Sequence, residues 1–419
     1  MAAAQVGRGR AWLLAATLLC VAPGALAAGP REFRIGVYVN GDTHPQNLPG
    51  SRMMADMAAH GVSRAVLLTK QYMQLAPQGL HSLAKQWGIQ LFIGNIRAGA
   101  AADEGNMRML IDLVNSRPDA DAVAGWYADD EVEGAHDPTA EPDYEARTRR
   151  FVPMIRRMDP RRRVIVNHDA RTEKWGGRFV RAGEDESWCS VFWANHFAEA
   201  RLRKAMAAHR EAYGASAKPL TFVYGAQSTN KFGAESELPT AGLQGATLAD
   251  LKAISTRSDI TDYIMTAYRL GASGASFFVY DGYYDWTYYT LVDERGRSVE
   301  GKMEGIRDAA ERIAADQGRP TLDLRVASSS PALDIAVATR PGAAPVRRTS
   351  VQVSHDGGYS WSSVAGFGAE GGKVRLPIAH HPIQRGYWAM VRARCFDGKR
   401  TSLWSVWNVY PASAPRSSE

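Results

Sequence analysis

The stretch FRIGVYVNGDTHPQNLPG, residues 33–50, decides the reading of the fold. Its first part, FRIGVYVN (33–40), is a nearly uninterrupted apolar, β-branched run, the pattern of a strand buried on both faces. No G-x-G-x-x-G turn follows it, so it does not feed the phosphate loop that opens a doubly wound dinucleotide sheet. Seven similar runs follow: SRAVLLT (63–69), IQLFIGN (89–95), AVAGWYA (122–128), RVIVNHD (163–169), CSVFWANH (189–196), LTFVYGAQ (220–227) and ASFFVYD (275–281). Between them, apolar residues recur at helical spacing, as in Leu80, Leu83, Ala84 and Trp87, or Met107, Leu110, Ile111 and Val114. Gly61, Gly88, Gly214 and Gly271 stand where helices end and strands begin. Eight buried strands alternating with helices predict an α/β fold, a parallel sheet closed into a (β/α)8 TIM barrel over residues 29–317.

After AADQGRP (314–320) the texture changes to short alternating strands separated by turns, without helical periodicity. LDLRVASSS, LDIAVATRP, SVQVSHDGG, KVRLPIA, YWAMVRARCFDG and LWSVWNVYP predict a small all-β sandwich over 320–412. SAPRSSE (413–419) reads as a disordered tail. Within the sandwich, SHDGGYSW (354–361) matches the Asp-box pattern S-x-D-x-G-x-[ST]-W. In it Asp356 is expected to bond the turn backbone, the glycines to take positive φ, and Trp361 to pack beneath. Arg392 and Arg394 are expected to form an Arg–Trp ladder with Trp404 and Trp407, two rings that could alternatively present a saccharide-binding face. GFGAEG (366–371) spells a nucleotide-loop motif but precedes no helix.

At the N-terminus, Arg8 and Arg10 precede the apolar run AWLLAATLLCVA and the small-residue site Ala25-x-Ala27. This predicts a secretory signal peptide over residues 1–27, hence a secreted or periplasmic protein with no membrane span. The formal net charge of +6 is spread without a long basic block, which gives no nucleic-acid footprint. Beyond the leader only Cys189 and Cys395 remain; each lies in an apolar strand of a different domain, and both are expected to be buried free thiols. No CxxC, HExxH, GxSxG or Walker pattern occurs, so neither a metal nor another cofactor is implied.

A (β/α)8 barrel carries its chemistry at the C-terminal strand ends. Those ends are unusually polar: Asn40 and Asp42; Asp129, Asp130 and Glu131; Asn167, His168 and Asp169; Trp193, Asn195 and His196; Tyr224 and Gln227; Tyr280 and Asp281. The N-terminal ends hold ordinary entry residues such as Arg64, Gln90 and Arg163. Strand alternation places Gly125, Tyr127, Asp129 and Glu131 on one face and Trp126 and Asp130 on the other. If the first set faces the lumen, Asp129 and Glu131 share the site and Asp130 supports them. Clustered carboxylates raise one another's pKa, which is what a general acid for a glycosidic oxygen requires.

GWYADDE (125–131) resembles the fourth-strand end of glycoside hydrolase superfamily barrels, GWYxxDEP, with Val132 in place of the proline. The resemblance implies hydrolysis of a glycosidic bond in an oligo- or polysaccharide, with Glu131 as general acid. It also places a nucleophilic glutamate at the seventh strand end, where this chain has Gln227. A second carboxylate must then come from elsewhere, and Asp281 is preferred because it opens the aromatic loop YDGYYDWTYY, which includes Trp286. Asp42, Tyr127, Asp129, Asp130, Asn167, His168, Asp169, Trp193, Asn195, His196, Tyr224, Gln227, Tyr280 and Trp286 are expected to bind substrate. The alternatives are a non-catalytic carbohydrate-binding protein on a degenerate barrel and a surface scaffold acting through its β-sandwich. The oligomeric state is left open. YWAMVRARCFDGKRTSLWS is similar to the last two strands of fibronectin type III domains, with Tyr387 at the corner-tyrosine position.

Overall fold

The computed structural model describes residues 32–39, 50–94, 104–130, 144–169, 179, 181–191, 198–214, 218–225, 256–281, 290–293, 296–329, 332–377 and 389–409. The leader, the tail and Tyr387 lie outside them. Eight strands pair in parallel in chain order: β1 (Arg34–Val39), β2 (Arg64–Leu68), β3 (Gln90–Gly94), β4 (Val123–Asp129), β5 (Arg163–Asp169), β6 (Glu186–Ser190), β7 (Leu220–Gly225) and β8 (Gly274–Phe278). β8 returns to β1, with Arg34 opposite Gly274, and closes the barrel. The described helices are α1 (Gly50–Ala59), α2 (Thr69–Leu75), α3 (Leu80–Trp87), α4 (Glu104–Asn115), α5 (Tyr144–Met158), α6 (Ala198–Tyr213), α7 (Arg257–Leu270) and α8 (Lys302–Asp316).

The alternation of each strand divides the core in two. Tyr38, Val66, Phe92, Tyr127, Ile165, Trp188 and Val223, one from each of β1 to β7, meet Val279 in the lumen. Residues one step away, such as Val37, Leu67, Ile93 and Trp126, join the helices in the outer core. Gly125 is required by this packing, because a Cβ there would lie 2.7 Å from the Phe92 ring and 2.6 Å from the Arg163 carbonyl oxygen.

The sixth strand differs from its expected position: it starts at Glu186 and ends at Ser190 rather than spanning 189–196. The reason lies in the barrel floor. Arg64 donates to both carboxylate oxygens of Glu186, at 2.5 and 3.1 Å, and both side chains are almost fully buried. Thr221 Oγ1 and Trp188 Nε1 donate to Glu186 Oε1 at 2.8 and 3.0 Å. A charged residue at a strand start reads as loop, and Arg64 reads as an ordinary entry residue, yet together they fill the floor as a buried bidentate ion pair.

The remaining strands are β9 (Thr321–Ser329), β10 (Ala332–Arg340), β11 (Arg348–Ser354), β12 (Ser362–Ser363), β13 (Gly371–Pro377), β14 (Ala389–Phe396) and β15 (Ser405–Val409). They form a three-stranded sheet, β13-β10-β9, and a four-stranded sheet, β12-β11-β14-β15. Val326, Ile335, Val351, Val391 and their neighbours form the core between the two. In the Asp-box turn, Asp356 Oδ1 accepts from the Tyr359 and Ser360 amides at 3.0 and 2.9 Å, and Gly357 and Gly358 take φ of 78° and 91°. Trp361 Nε1 donates to the Gly358 carbonyl at 3.0 Å.

That turn delivers Trp361 to the junction with the barrel. The Arg392 guanidinium lies 4.1 Å from the Trp361 ring centroid, 4.5 Å from Trp87 and 4.7 Å from Trp404. Its Nη1 donates to the Gln86 carbonyl at 3.2 Å and its Nε to Gln352 Oε1 at 2.8 Å. Gln86 and Trp87 end α3, so the cation also meets the negative end of a helix dipole. Burial, with Arg394 adding to it, pulls the Arg392 guanidinium down to about 9. Trp404 is therefore buried in the junction rather than part of a saccharide face, whereas Trp407 is exposed. Cys189 and Cys395 are both buried, and neither is part of a disulfide. Among the described residues no helix is long and apolar enough to cross a membrane.

Candidate active site

The described part of the C-terminal rim is organised by an irregularity in β4. Tyr127 is opposite Ile165 and Asp129 is opposite Val166, so Ala128 is an extra residue in the ladder. Such a bulge turns the following residues by one step of the alternation. Asp129 consequently points outward, where Oδ2 accepts from Thr148 Oγ1 of α5 and Oδ1 from the Asp130 amide at 2.9 Å. This corrects the expectation for Asp129: it is fully buried in the helix layer and anchors the strand end. Asp130 takes its place on the lumen side.

There, Tyr38 donates to the Tyr127 hydroxyl at 2.9 Å, and Tyr127 donates to Asp130 Oδ1 at 2.5 Å. Asn167 Nδ2 donates to the same Asp130 oxygen at 2.7 Å and to Ser190 Oγ at 2.8 Å. Burial first, then the Asp130 charge and Tyr38, hold the Tyr127 hydroxyl well above its ordinary pKa, so it remains a donor at all working pH values. The other Asn167 atom, Oδ1, is buried and meets no donor among the described residues. The cluster fixes a carboxylate and a spare amide acceptor at the mouth of the barrel, a combination suited to hydroxyl donors of a ligand. Tyr38 and Ser190 escaped the sequence reading, although Tyr38 stands only two positions before Asn40 in the sequence.

Three further expected site residues face the helices, each because its strand neighbour occupies the lumen. His168 packs on Phe179 with ring centroids 4.8 Å apart and lies 3.9 Å from Glu184, while Asn167 faces inward. Tyr224 donates to the Tyr263 carbonyl of α7 at 3.3 Å, while Val223 fills the lumen. Tyr280 donates to Asp56 Oδ2 of α1 at 2.6 Å, while Val279 faces inward. Asp281 follows β8 and is buried. Asp169 ends β5, its side chain outside the described residues, as are Asp42, Glu131, Trp193, Asn195, His196, Gln227 and Trp286. Among the described residues no three His, Cys, Asp or Glu side chains are grouped to hold a metal ion.

The outward His168 belongs to a buried polar cluster with Glu184 and His209. Glu184 accepts from Ser187 Oγ and the Ala182 amide at 3.1 Å each, and from the Tyr213 hydroxyl. Burial, and then His168, lower the His209 pKa to about 4. Glu184 is raised by burial, but His168 and the Tyr213 hydrogen bond outweigh this and lower it overall. For His209 the unfolded chain, with a pKa near 6.5, binds its proton first as pH falls. Stability should therefore drop between about pH 6.5 and 4, by on the order of 2–3 kcal/mol, with Glu184 adding to the loss further down. His209→Gln should flatten this slope in urea unfolding measured from pH 7 to 4; an unchanged slope would remove His209 as its source.

No protein-family model matches the chain, and no curated protein matches it. Among solved structures it is similar to a β-glucuronidase from Bacteroides uniformis, at 12% identity and a TM-score of 0.48 over 91% of this chain and 46% of that one. A galacturonate-bound β-galacturonidase from Eisenbergiella tayi gives 16% identity and a TM-score of 0.47 over 67% and 52% of the two chains. An exo-β-1,4-mannosidase from an Opitutaceae bacterium gives 14% and 0.44 over 70% and 62%. The chain spans about half the length of the β-glucuronidase it matches.

Proposed function

We propose that the C-terminal rim of the barrel binds an oligo- or polysaccharide and hydrolyses a glycosidic bond, with Glu131 as general acid and Asp281 as partner carboxylate. The observation that carries this reading is the Tyr38–Tyr127–Asp130–Asn167 cluster, which fixes a carboxylate in the mouth of the barrel next to Glu131 in sequence. Negative charge at Asp130 favours the protonated form of a neighbouring carboxyl group, as general acid catalysis needs. Asn167 and Asp130 would accept substrate hydroxyls, and Trp193 and Trp286 would stack on sugar faces. Burial of Asp281 at the end of β8 supports its role as the second acid. Separation of the two carboxyl groups sets the stereochemistry, about 5 Å for retention and roughly 6.5–9.5 Å for inversion.

Gln227 at the seventh strand end favours one competing reading, a binding protein that holds saccharide without cleaving it. The three-plus-four strand arrangement of the C-terminal sheets supports the fibronectin type III-like assignment. Domain limits of 29–317 and 320–412 and export through a leader removed after Ala27 belong to the same proposal.

The test is a polysaccharide panel read by reducing-end release. Glu131→Gln and Asp281→Asn should each lower turnover on the order of a hundredfold. Saturable oligosaccharide binding without release in the wild type would replace hydrolysis by the binding reading.

A further inference from the structure

The floor of the lumen, at the strand ends opposite the rim, holds polar groups that the Arg64–Glu186 pair leaves over. Gly36 of β1 is the register partner of both Arg64 on β2 and Ser276 on β8, so the three lie side by side where β8 closes on β1. Alternation from the lumen residues Tyr38 and Val66 turns Gly36 and Arg64 inward. Gly36 has no side chain, and a Cβ there would lie 3.0 Å from Ser276 Oγ and 3.3 Å from Arg64 Cβ. The gap between the flanking side chains is therefore of single-atom size.

Each flanking residue brings a buried atom that meets no hydrogen-bond partner among the described residues: Arg64 Nε, on a side chain 3% exposed, and Ser276 Oγ, on a fully buried residue. A guanidinium Nε only donates and a hydroxyl donates freely, so the gap presents two donors to an acceptor. The surrounding charge favours an anion over water. Arg34 and Arg163 start β1 and β5 at the same floor: Arg34 donates to Gln90 and to the exposed Glu32, and Arg163 lies 3.8 Å from Glu186. Glu186, the buried carboxylate, already accepts from Arg64, Thr221 and Trp188. Burial first, then Arg34 and Arg163, lower the Arg64 pKa, and the opposing Glu186 does not outweigh them. A small anion beside Arg64 offsets this excess of positive charge.

We propose that the barrel floor binds one halide-sized anion, a chloride or bromide, held by Arg64 Nε and Ser276 Oγ in the gap left by Gly36. Carboxylates and phosphates exceed a single-atom gap. The ion bridges β2 and β8 across β1, so its binding fastens the seam at which the barrel closes and stabilises the folded chain. This site is independent of the chemistry proposed for the rim.

The full-length protein is crystallised from sodium bromide, and its thermal unfolding is followed in sodium chloride against sodium gluconate at equal ionic strength. An anomalous bromide peak within hydrogen-bond reach of Arg64 Nε and Ser276 Oγ is expected, with a saturable rise in Tm in chloride that gluconate does not give. Ser276→Ala should raise the chloride concentration at half-effect at least tenfold. Gly36→Ala, which keeps both polar groups and fills the gap, should abolish the effect, with far-UV circular dichroism checking the fold of each variant. A water oxygen in place of the bromide peak, or no saturable chloride effect, overturns the proposal. So does chloride binding undiminished in Ser276→Ala, which would mean an adventitious ion only.

Discussion

Glu186→Gln is expected to lower the free energy of unfolding by about 3–5 kcal/mol, the usual cost of leaving one member of a buried ion pair uncompensated. Arg64 would keep its charge on the barrel floor with an amide where its bidentate partner stood, and Trp188 and Thr221 would lose the anion to which they donate. Water cannot replace the carboxylate, since Arg64 and Glu186 are both almost entirely shielded. The measurement is urea unfolding followed by far-UV circular dichroism, which reports the barrel strands. Arg64→Leu with Glu186→Leu should recover much of the loss, because removing both charges also removes both desolvation penalties. A single-variant cost below about 1 kcal/mol would mean that the pair is solvated in solution.

Arg392→Ala should cost about 3 kcal/mol and loosen the sandwich from the barrel. Desolvated cation–π contacts are worth up to ~2 kcal/mol or more, and a hydrogen bond typically contributes about 1 kcal/mol. The substitution removes contacts with three indole rings and bonds to the Gln86 carbonyl and Gln352, and leaves a void between the rings. Trp87, Trp361 and Trp404 should become wetter together, so a red-shifted tryptophan emission should accompany the lower melting temperature. Arg392→Lys should lose roughly half as much, because an ammonium keeps the charge but not the planar stacking. Arg394→Ala is the control, at within about 0.5 kcal/mol, since Arg394 is exposed and stacks on Trp404 alone. If Arg392→Ala and Arg394→Ala behave alike, the caged cation is not what joins the domains.

The closed barrel was legible because seven of the eight strands are apolar runs whose limits shift by at most three residues, with glycine caps such as Gly88 and Gly271 marking where helices end. What could not be read is which face each rim residue takes. Period-two counting is correct for Asn167 and fails after Tyr127, since nothing in AVAGWYADD marks Ala128 as the extra residue. His168, Tyr224 and Tyr280 look equally suited to rim and helix layer, because polar strand ends serve both. The charged floor was hidden for the same reason: Arg64 and Glu186 are 122 positions apart, and only the closed sheet brings them together.

The extra residue at Ala128 bears on how relatives of this chain would be aligned. Two sequences that both place acids at these positions, one with the added residue and one without, would show matching columns while aiming the matched carboxylates at opposite sides of the sheet. Substitutions would hardly move that geometry, whereas a one-residue insertion or deletion would exchange the stations of Asp129 and Asp130 in a single step. Divergence of the mouth of this barrel is therefore to be sought in gaps rather than in exchanged letters.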